Sequence, residues 1–158
     1  FPYTTLFRSI GHGATTIVGQ SIGAGRKDLT KKLSWFATGL GMVIMTFMGI
    51  LLYVFAPEMI GLLSPDPDIR LLGTTVLRIE AFAEPMYAAS IVAAGVFRGA
   101  GKTLTSSVLN LVSVWFVRIP LAAFLAPVLG LKGVWIAMCT ELIVRGSLFL
   151  IWLKRWRV

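Results

Sequence analysis

The feature that most constrains this chain is residues 33–56, which contain no charged side chain. This stretch exceeds the roughly 20 apolar residues that an α-helix needs to cross a bilayer. The wider composition agrees, because 56% of the residues are hydrophobic and only 14% are charged, against about a quarter charged in soluble domains. The sequence therefore predicts a membrane protein.

The pattern repeats along the chain. Residues 74–97, 104–126 and 131–153 form three further spans, and residues 10–25 are too short for one and read as the second half of a truncated helix. Pro57 is expected to close the first span, with residues 58–73 as an acidic, turn-rich loop. The predicted fold class is all-α: a polytopic membrane protein with four complete transmembrane helices plus one truncated helix.

Residues 1–9 do not match the pattern that follows them. They are expected to be a non-native junction without function, so that the native sequence is residues 10–158.

The basic residues predict the orientation of the chain in the membrane. Segments 26–32, 98–103 and 154–157 hold nine of the fifteen Lys and Arg residues, whereas the alternate segments 58–73 and 127–132 hold two, with three acids. Cytoplasmic loops are enriched in Lys and Arg, which predicts a multi-pass inner (plasma) membrane protein with a cytoplasmic C-terminus. Because the charge of +8 lies in these short loops, it does not indicate nucleic-acid binding.

Two acids in the second span, Glu80 and Glu84, are spaced i, i+4. Intramembrane charges are costly and usually face a protein interior or a water-filled cavity. Two carboxylates this close repel each other, which suits the handling of a proton or another cation. The alternative is that each Glu is partnered separately by another helix.

Three further intramembrane charges, Glu141, Arg145 and Arg118, are predicted to be structural. Glu141 and Arg145 are spaced for an i, i+4 ion pair with the acid first, which could serve insertion or transport. By depth in the bilayer, Arg118 is expected to face Glu80 or share a polar cluster with it. The alternative is that Arg118 binds helix carbonyls freed by Pro120.

Catalytic and cofactor sites are not predicted. The turn Gly99-Ala-Gly-Lys-Thr103 resembles a phosphate-binding loop, but that motif needs Gly where Val96 stands and a strand before it. The chain lacks a recognisable nucleophile–base pair or metal-ligand cluster, so an enzyme, a cofactor and a metal are not expected. Cys139 lies in an apolar run and is expected to be a core residue.

Four motifs, in this order, resemble one family. They are Val18-Gly-Gln-Ser-Ile-Gly-Ala-Gly25, Gly95-Val-Phe-Arg-Gly-Ala-Gly-Lys-Thr103, Asn110-x-x-Ser-x-Trp-x-x-Arg-Ile-Pro120 and Gly130-Leu-Lys-Gly-Val-Trp135. Together they resemble the multidrug and toxic compound extrusion (MATE) transporters. The resemblance implies a transporter of two six-helix lobes, in which residues 10–158 are the end of helix 8 and helices 9–12 of the C-terminal lobe.

The resemblance also implies a function: antiport of organic, often cationic compounds against H⁺ or Na⁺. Tyr87 stands where some sodium-coupled members carry a cation-binding Asp, so that ligand is not carried over. Glu84, Glu80, Tyr87 and Asn110 are the candidates for the coupling site or substrate cavity. The implied partners are a small organic substrate, the ion, the lipid bilayer and the missing N-terminal lobe. Two alternatives are a lipid-linked glycan flippase and a non-transporting membrane scaffold subunit, although a scaffold has no need of buried acids.

Overall fold

The computed structural model describes residues 2–156, and all of its regular secondary structure within that range is helical. The helices are α1 (Pro2–Gly23), α2 (Lys27–Leu63), α3 (Pro67–Gly99), α4 (Thr103–Ser113), α5 (Ile119–Leu129) and α6 (Leu131–Arg155). A π-helical turn, Val114–Arg118, joins α4 to α5 without a break. Residues 2–9 are helical and continuous with the rest of α1; that they are a non-native junction stays a prediction.

Within residues 2–156, four helical stretches are long and apolar enough to cross a membrane: Lys27–Leu63, Pro67–Gly99, Thr103–Leu129 and Leu131–Arg155. Together with the shorter α1, they confirm the predicted fold class. The stretch Thr103–Leu129 buries little of its surface within the chain, and it exposes Phe116, Phe124 and Val128. Large exposed apolar side chains on a spanning helix are suited to contact with lipid.

Helix α3 is the centre of the bundle, since it packs against α2, α6 and α1. The main apolar core lies among α1, α3 and α6, where Phe97, Phe149 and Leu153 are almost completely buried. Phe97 also contacts Phe149 and Trp156 through its ring. Helix α6 is thus held against α3 along much of its length.

The connections between the helices are short. Gly25, Gly101 and Gly130 adopt positive φ angles of 71°, 74° and 59° at three of them, a conformation that glycine adopts without a steric penalty. At the fourth, the side chain of Asp66 accepts a hydrogen bond from the backbone N–H of Asp68 at 2.9 Å and caps the start of α3.

The expected loop over residues 58–73 is wrong. Helix α2 continues through Pro57 to Leu63, and α3 already begins at Pro67. A proline within a helix removes one N–H donor and frees the carbonyl four residues earlier, here that of Tyr53. The Arg78 side chain donates to that carbonyl oxygen at 3.4 Å, and this replacement donor from α3 explains how α2 continues past the proline.

Candidate functional site

The buried acids and their polar neighbours lie on α3 and α6, in what we call the polar seam. Helix α3 contributes Glu80, Glu84 and Tyr87, which share one face at i, i+4 and i+7. The seam is completed by Trp135, Cys139, Glu141 and Arg145 of α6. Four buried polar atoms of the described residues make no hydrogen bond, and all belong to it: Glu84 Oε2, Trp135 Nε1, Glu141 Oε2 and Arg145 Nε.

Glu84 is only 5% exposed, and none of the described basic residues forms an ion pair with it. Its side chain lines an apolar groove between α2 and α3 with a volume of about 290 Å³. Met45, Met48 and Met59 contribute to the apolar wall. Gly49 lets α3 approach closely, because a Cβ at this position would lie 3.6 Å from the Cβ of Glu84 and 2.9 Å from the Ala81 carbonyl oxygen. The groove thus combines a buried carboxylate with flexible apolar side chains.

Glu80 lies one helical turn from Glu84 and is half-buried. The two carboxylates interact electrostatically, and Cys139 lies within range of both. The Trp135 indole lies beside Glu80, although its Nε1 makes no hydrogen bond of ordinary geometry. Cys139 itself packs in an apolar cluster with Ala83 and is a core residue.

Glu141 and Arg145 form the ion pair that their spacing predicts. Arg145 Nε lies 3.3 Å from Glu141 Oε1, and Ser113 of α4 donates to the same oxygen at 2.7 Å. Glu141 is fully buried, and the Arg145 guanidinium lies 6.0 Å from the centre of the Tyr87 ring. The pair therefore links α6 to the last residue of α4, immediately before the π-helical turn.

A second cavity, of about 430 Å³, lies among α1, α3, α4 and α6. Tyr87 and Asn110, two of the sequence-based candidates, line it together with Arg145. We call it the cationic cavity, because Arg8 and Arg98 also line it and its described lining contains no carboxylate; His12 lies there as well. The four candidates are thus divided: Tyr87 and Asn110 lie at the cationic cavity, Glu84 lies at the apolar groove, and Glu80 lies beside Trp135.

The expected pairing of Glu80 with Arg118 is wrong. Arg118 is exposed, and the ion pair between Glu141 and Arg145 is the only one that the described residues form. Neither the π-helical turn nor α5 contacts α3, whereas both pack against α6. Depth in the bilayer placed Glu80 and Arg118 at a similar level, but α6 packs between their helices.

The sequence reasoning did not select Ser113, Trp135, His12 or Arg98 as site residues. Ser113 and Trp135 both lie within motifs that carried the family resemblance. Their polar partners come from other helices, which helical periodicity within one span does not reveal.

Among residues 2–156, no His, Cys, Asp and Glu side chains form a group of three that could hold a metal ion.

The MatE family model matches residues 1–124. The "Probable multidrug resistance protein NorM" of Pasteurella multocida is 29% identical over 153 residues, covering 93% of this chain and 33% of that protein. The protein of the same name from Brucella suis is 32% identical, covering 93% of this chain and 32% of its own length.

Solved structures resemble the chain as well. The MATE transporter ClbM in complex with Rb⁺ is 28% identical and superposes with a TM-score of 0.82, covering 92% of this chain and 33% of that one. An inward-facing multidrug resistance MATE family transporter gives a TM-score of 0.83 at 18% identity and supports the fold alone. The chain spans about one third of the length of these relatives.

Proposed function

Because the chain belongs to the MatE family of multidrug and toxic compound extrusion (MATE) transporters, we propose that it is part of a secondary active antiporter. The transporter exports organic, often cationic compounds in exchange for H⁺ or Na⁺ across the inner membrane. Residues 10–158 supply most of its C-terminal lobe. Rocking of this lobe against an opposing one gives the central cavity alternating access to the two sides of the membrane.

The observation that carries the proposal is the unpaired Glu84 carboxylate beside Glu80. Glu84 is buried in a spanning helix, its Oε2 makes no hydrogen bond, and it interacts electrostatically with another acid, Glu80, one turn away. An uncompensated carboxylate at such a position is expensive, so binding of H⁺ or Na⁺ stabilises it. Release of the ion restores the repulsion between the two acids, which favours a different packing of α3.

The surroundings of Glu84 also fit an organic cation. Methionine side chains are flexible and polarisable, which lets one apolar surface accept substrates of different shapes. A cationic substrate in the groove would neutralise the same carboxylate that binds the coupling ion. Because the substrate and the ion compete for one carboxylate, binding of one releases the other. This competition couples their transport in opposite directions. The relative ClbM is known in complex with Rb⁺, and a monovalent cation is also what the proposal requires here.

The experiment measures efflux of the organic cation ethidium from proteoliposomes that contain the full-length transporter with this chain. An imposed H⁺ or Na⁺ gradient drives the export. Glu84→Gln keeps the size of the side chain and removes its charge, so we expect ion-driven efflux to fall about tenfold, as for loss of a group worth about 1.4 kcal/mol. Glu80→Gln should reduce efflux less, because Glu80 is less buried.

The matched control is Glu58→Gln, the same chemical change at an exposed residue near the end of α2. It should leave efflux unchanged. Wild-type efflux in the Glu84→Gln variant, with either gradient, would refute the coupling role of this residue.

A further inference from the structure

A second groove between α2 and α3 plays no part in the proposed antiport. Its volume is about 380 Å³, and none of its described lining residues also lines the groove of Glu84. Its wall is apolar and aromatic, with Ile50 and Tyr53 from α2 and Phe82 and Pro85 from α3. Ile50, Tyr53 and Phe82 are exposed, so the groove opens on the surface of this helix pair.

Arg78 lies at one end of this groove. Phe82 and Pro85 follow it at i+4 and i+7, so the three residues share one face of α3. The Arg78 guanidinium lies 5.1 Å from the centre of the Tyr53 ring, which lines the groove. Thr46 lines the opposite end, about 10 Å along α2 from Tyr53. A positively charged mouth thus leads into an apolar groove.

The Arg78 guanidinium has donors available for an anion. It carries five N–H donors and stays protonated in proteins. Its Nε donates to the Tyr53 carbonyl oxygen, but its two Nη groups make no hydrogen bond with any residue from 2 to 156, and Arg78 forms no ion pair there. Guanidinium groups bind phosphates through paired, charge-assisted hydrogen bonds. The uncompensated charge therefore suits a phosphate.

Arg78 also lies at the depth of lipid headgroups. It precedes Arg98 on α3 by 20 residues, which span about 30 Å, the thickness of the hydrocarbon core. On α2, Tyr53 follows Lys32 by 21 residues, which is nearly the same length. With Arg98 and Lys32 at one membrane surface, Arg78 and Tyr53 lie at the headgroup level of the other. The groove runs from there towards the centre of the bilayer, within one leaflet of about 15 Å.

We propose that this groove binds a phospholipid of the leaflet opposite Arg98. The Nη groups of Arg78 bind the phosphate, and one acyl chain lies in the groove against Ile50 and Phe82. A lipid without a phosphate would leave Arg78 unpaired, and a soluble anion has no apolar part to fill the groove. The proposal requires only that α2 and α3 span the membrane, so it can fail separately from ion coupling at Glu84.

The test uses the full-length transporter that contains this chain, in micelles of a neutral detergent. Phosphatidylglycerol with a photoreactive diazirine in one acyl chain is titrated in, and mass spectrometry of the peptides locates the cross-links. We expect cross-links within residues 46–53 and 81–85. Diacylglycerol with the same chains lacks the phosphate and should need at least tenfold more lipid for half-maximal labelling.

Equal labelling by the two lipids would overturn the proposal, because the groove would then accept an acyl chain without any contribution from Arg78. Absence of cross-links in both segments would overturn it as well. That is the result expected if another part of the transporter covers the groove.

Arg78→Gln tests the phosphate contact. It should raise the half-saturating concentration of phosphatidylglycerol about tenfold and leave labelling by diacylglycerol unchanged. Arg70→Gln is the matched control, because it removes the same charge from an exposed residue of α3, about 12 Å further from the groove. Circular dichroism verifies that each variant keeps its helix content. Equal effects of the two substitutions would contradict binding of the phosphate by Arg78.

Thr46→Trp tests the acyl-chain contact. Thr46 is exposed at the deep end of the groove, so the larger side chain fills this end and should lower cross-linking to residues 81–85 several-fold. Val43→Trp is the matched control, because it adds bulk to an exposed residue of α2 outside the groove. It should leave the labelling unchanged. Equal labelling of the two variants would show that the acyl chain does not lie in the groove.

Discussion

Glu141 is completely buried in the structure, yet its charge is offset within its own helix. Arg145 lies one turn away, and Ser113 donates a short hydrogen bond to the shared oxygen. The sequence predicted the ion pair because both residues belong to one span. It could not predict Ser113, because that contact depends on the packing of α4 against α6.

Loss of Arg145 should cost more than loss of the whole pair. Arg145→Met leaves Glu141 buried and uncompensated, and we expect it to lower the free energy of unfolding by about 3 kcal/mol. Adding Glu141→Gln should recover most of this loss, because Ser113 can still donate to the Gln carbonyl oxygen. Denaturant unfolding in detergent micelles, followed by circular dichroism, measures both. Equal stability of the single and double variants would contradict the explanation.

The carbonyl of Tyr53 shows how one residue can decide where a helix ends. Pro57 leaves this carbonyl without its helical donor, and Arg78 replaces that donor while its guanidinium lies 5.1 Å from the centre of the Tyr53 ring. The rule that a proline ends a helix failed here, since a side chain from α3 satisfies the freed acceptor.

A double-mutant cycle tests this substitution of donors. Arg78→Met should destabilise the chain by about 1 kcal/mol, through loss of the hydrogen bond and the cation–π contact. Pro57→Ala restores a backbone N–H that can bind the Tyr53 carbonyl, so in this background the same change at Arg78 should cost measurably less. Denaturant unfolding in micelles measures the loss of stability caused by Arg78→Met in each of the two backgrounds. If they are equal, Arg78 does not act through the freed carbonyl.

At the scale of elements, α1 and α3 approach each other through glycines. A Cβ at Gly95 would meet the Gly11 carbonyl, and a Cβ at Gly99 would meet the Thr15 carbonyl, both far inside contact distance. The hydroxyl of Thr15 also donates to the Gly95 carbonyl at 2.9 Å. Small residues four apart favour such close packing of membrane helices. Gly19 of α1 continues this contact, since a Cβ there would lie 3.5 Å from the Gly99 carbonyl oxygen, whereas a Cβ at Gly23 would meet nothing within 4 Å.

Gly95→Ala should separate the two helices. The added methyl group meets backbone, which cannot move aside like a flexible side chain, so we expect a loss of about 2 kcal/mol in unfolding free energy. Gly13→Ala is the control, because a Cβ at this position of α1 meets no atom within 4 Å. It should be neutral or slightly stabilising through higher helix propensity. Equal effects of the two substitutions would argue against the close contact.

The spans were predictable from hydropathy, because each needs only its own apolar residues. The order of packing was not. Helices that follow each other in sequence were expected to pack side by side, which would have brought Glu80 close to Arg118. Instead, α6 packs against both α3 and α5 and separates these two residues. The sequence correctly identified Glu80 and Glu84 as half-buried and buried acids. It could not predict which side chains surround them, because those side chains come from other helices.

At the scale of the whole molecule, the two ends of α3 adjoin connections of opposite charge. The helix has 33 residues and is about 50 Å long, enough to place its ends on opposite sides of a bilayer. Asp66 caps one end beside Asp68, whereas Arg98 and Lys102 lie at the other. Positive charge favours the cytoplasmic side, so the orientation proposed for the transporter can be tested at these two ends.

We predict that Lys102 is cytoplasmic and Asp66 is on the opposite side. Each is replaced by Cys in a Cys139→Ala background, which removes the only cysteine of the chain, a buried one that packs with Ala83 and Leu142. A membrane-impermeant maleimide should label Lys102→Cys in inside-out vesicles alone and Asp66→Cys in right-side-out vesicles alone. The Cys139→Ala parent should stay unlabelled in both. The reverse pattern would invert the proposed topology, and labelling of both positions from one side would mean that α3 does not span the membrane.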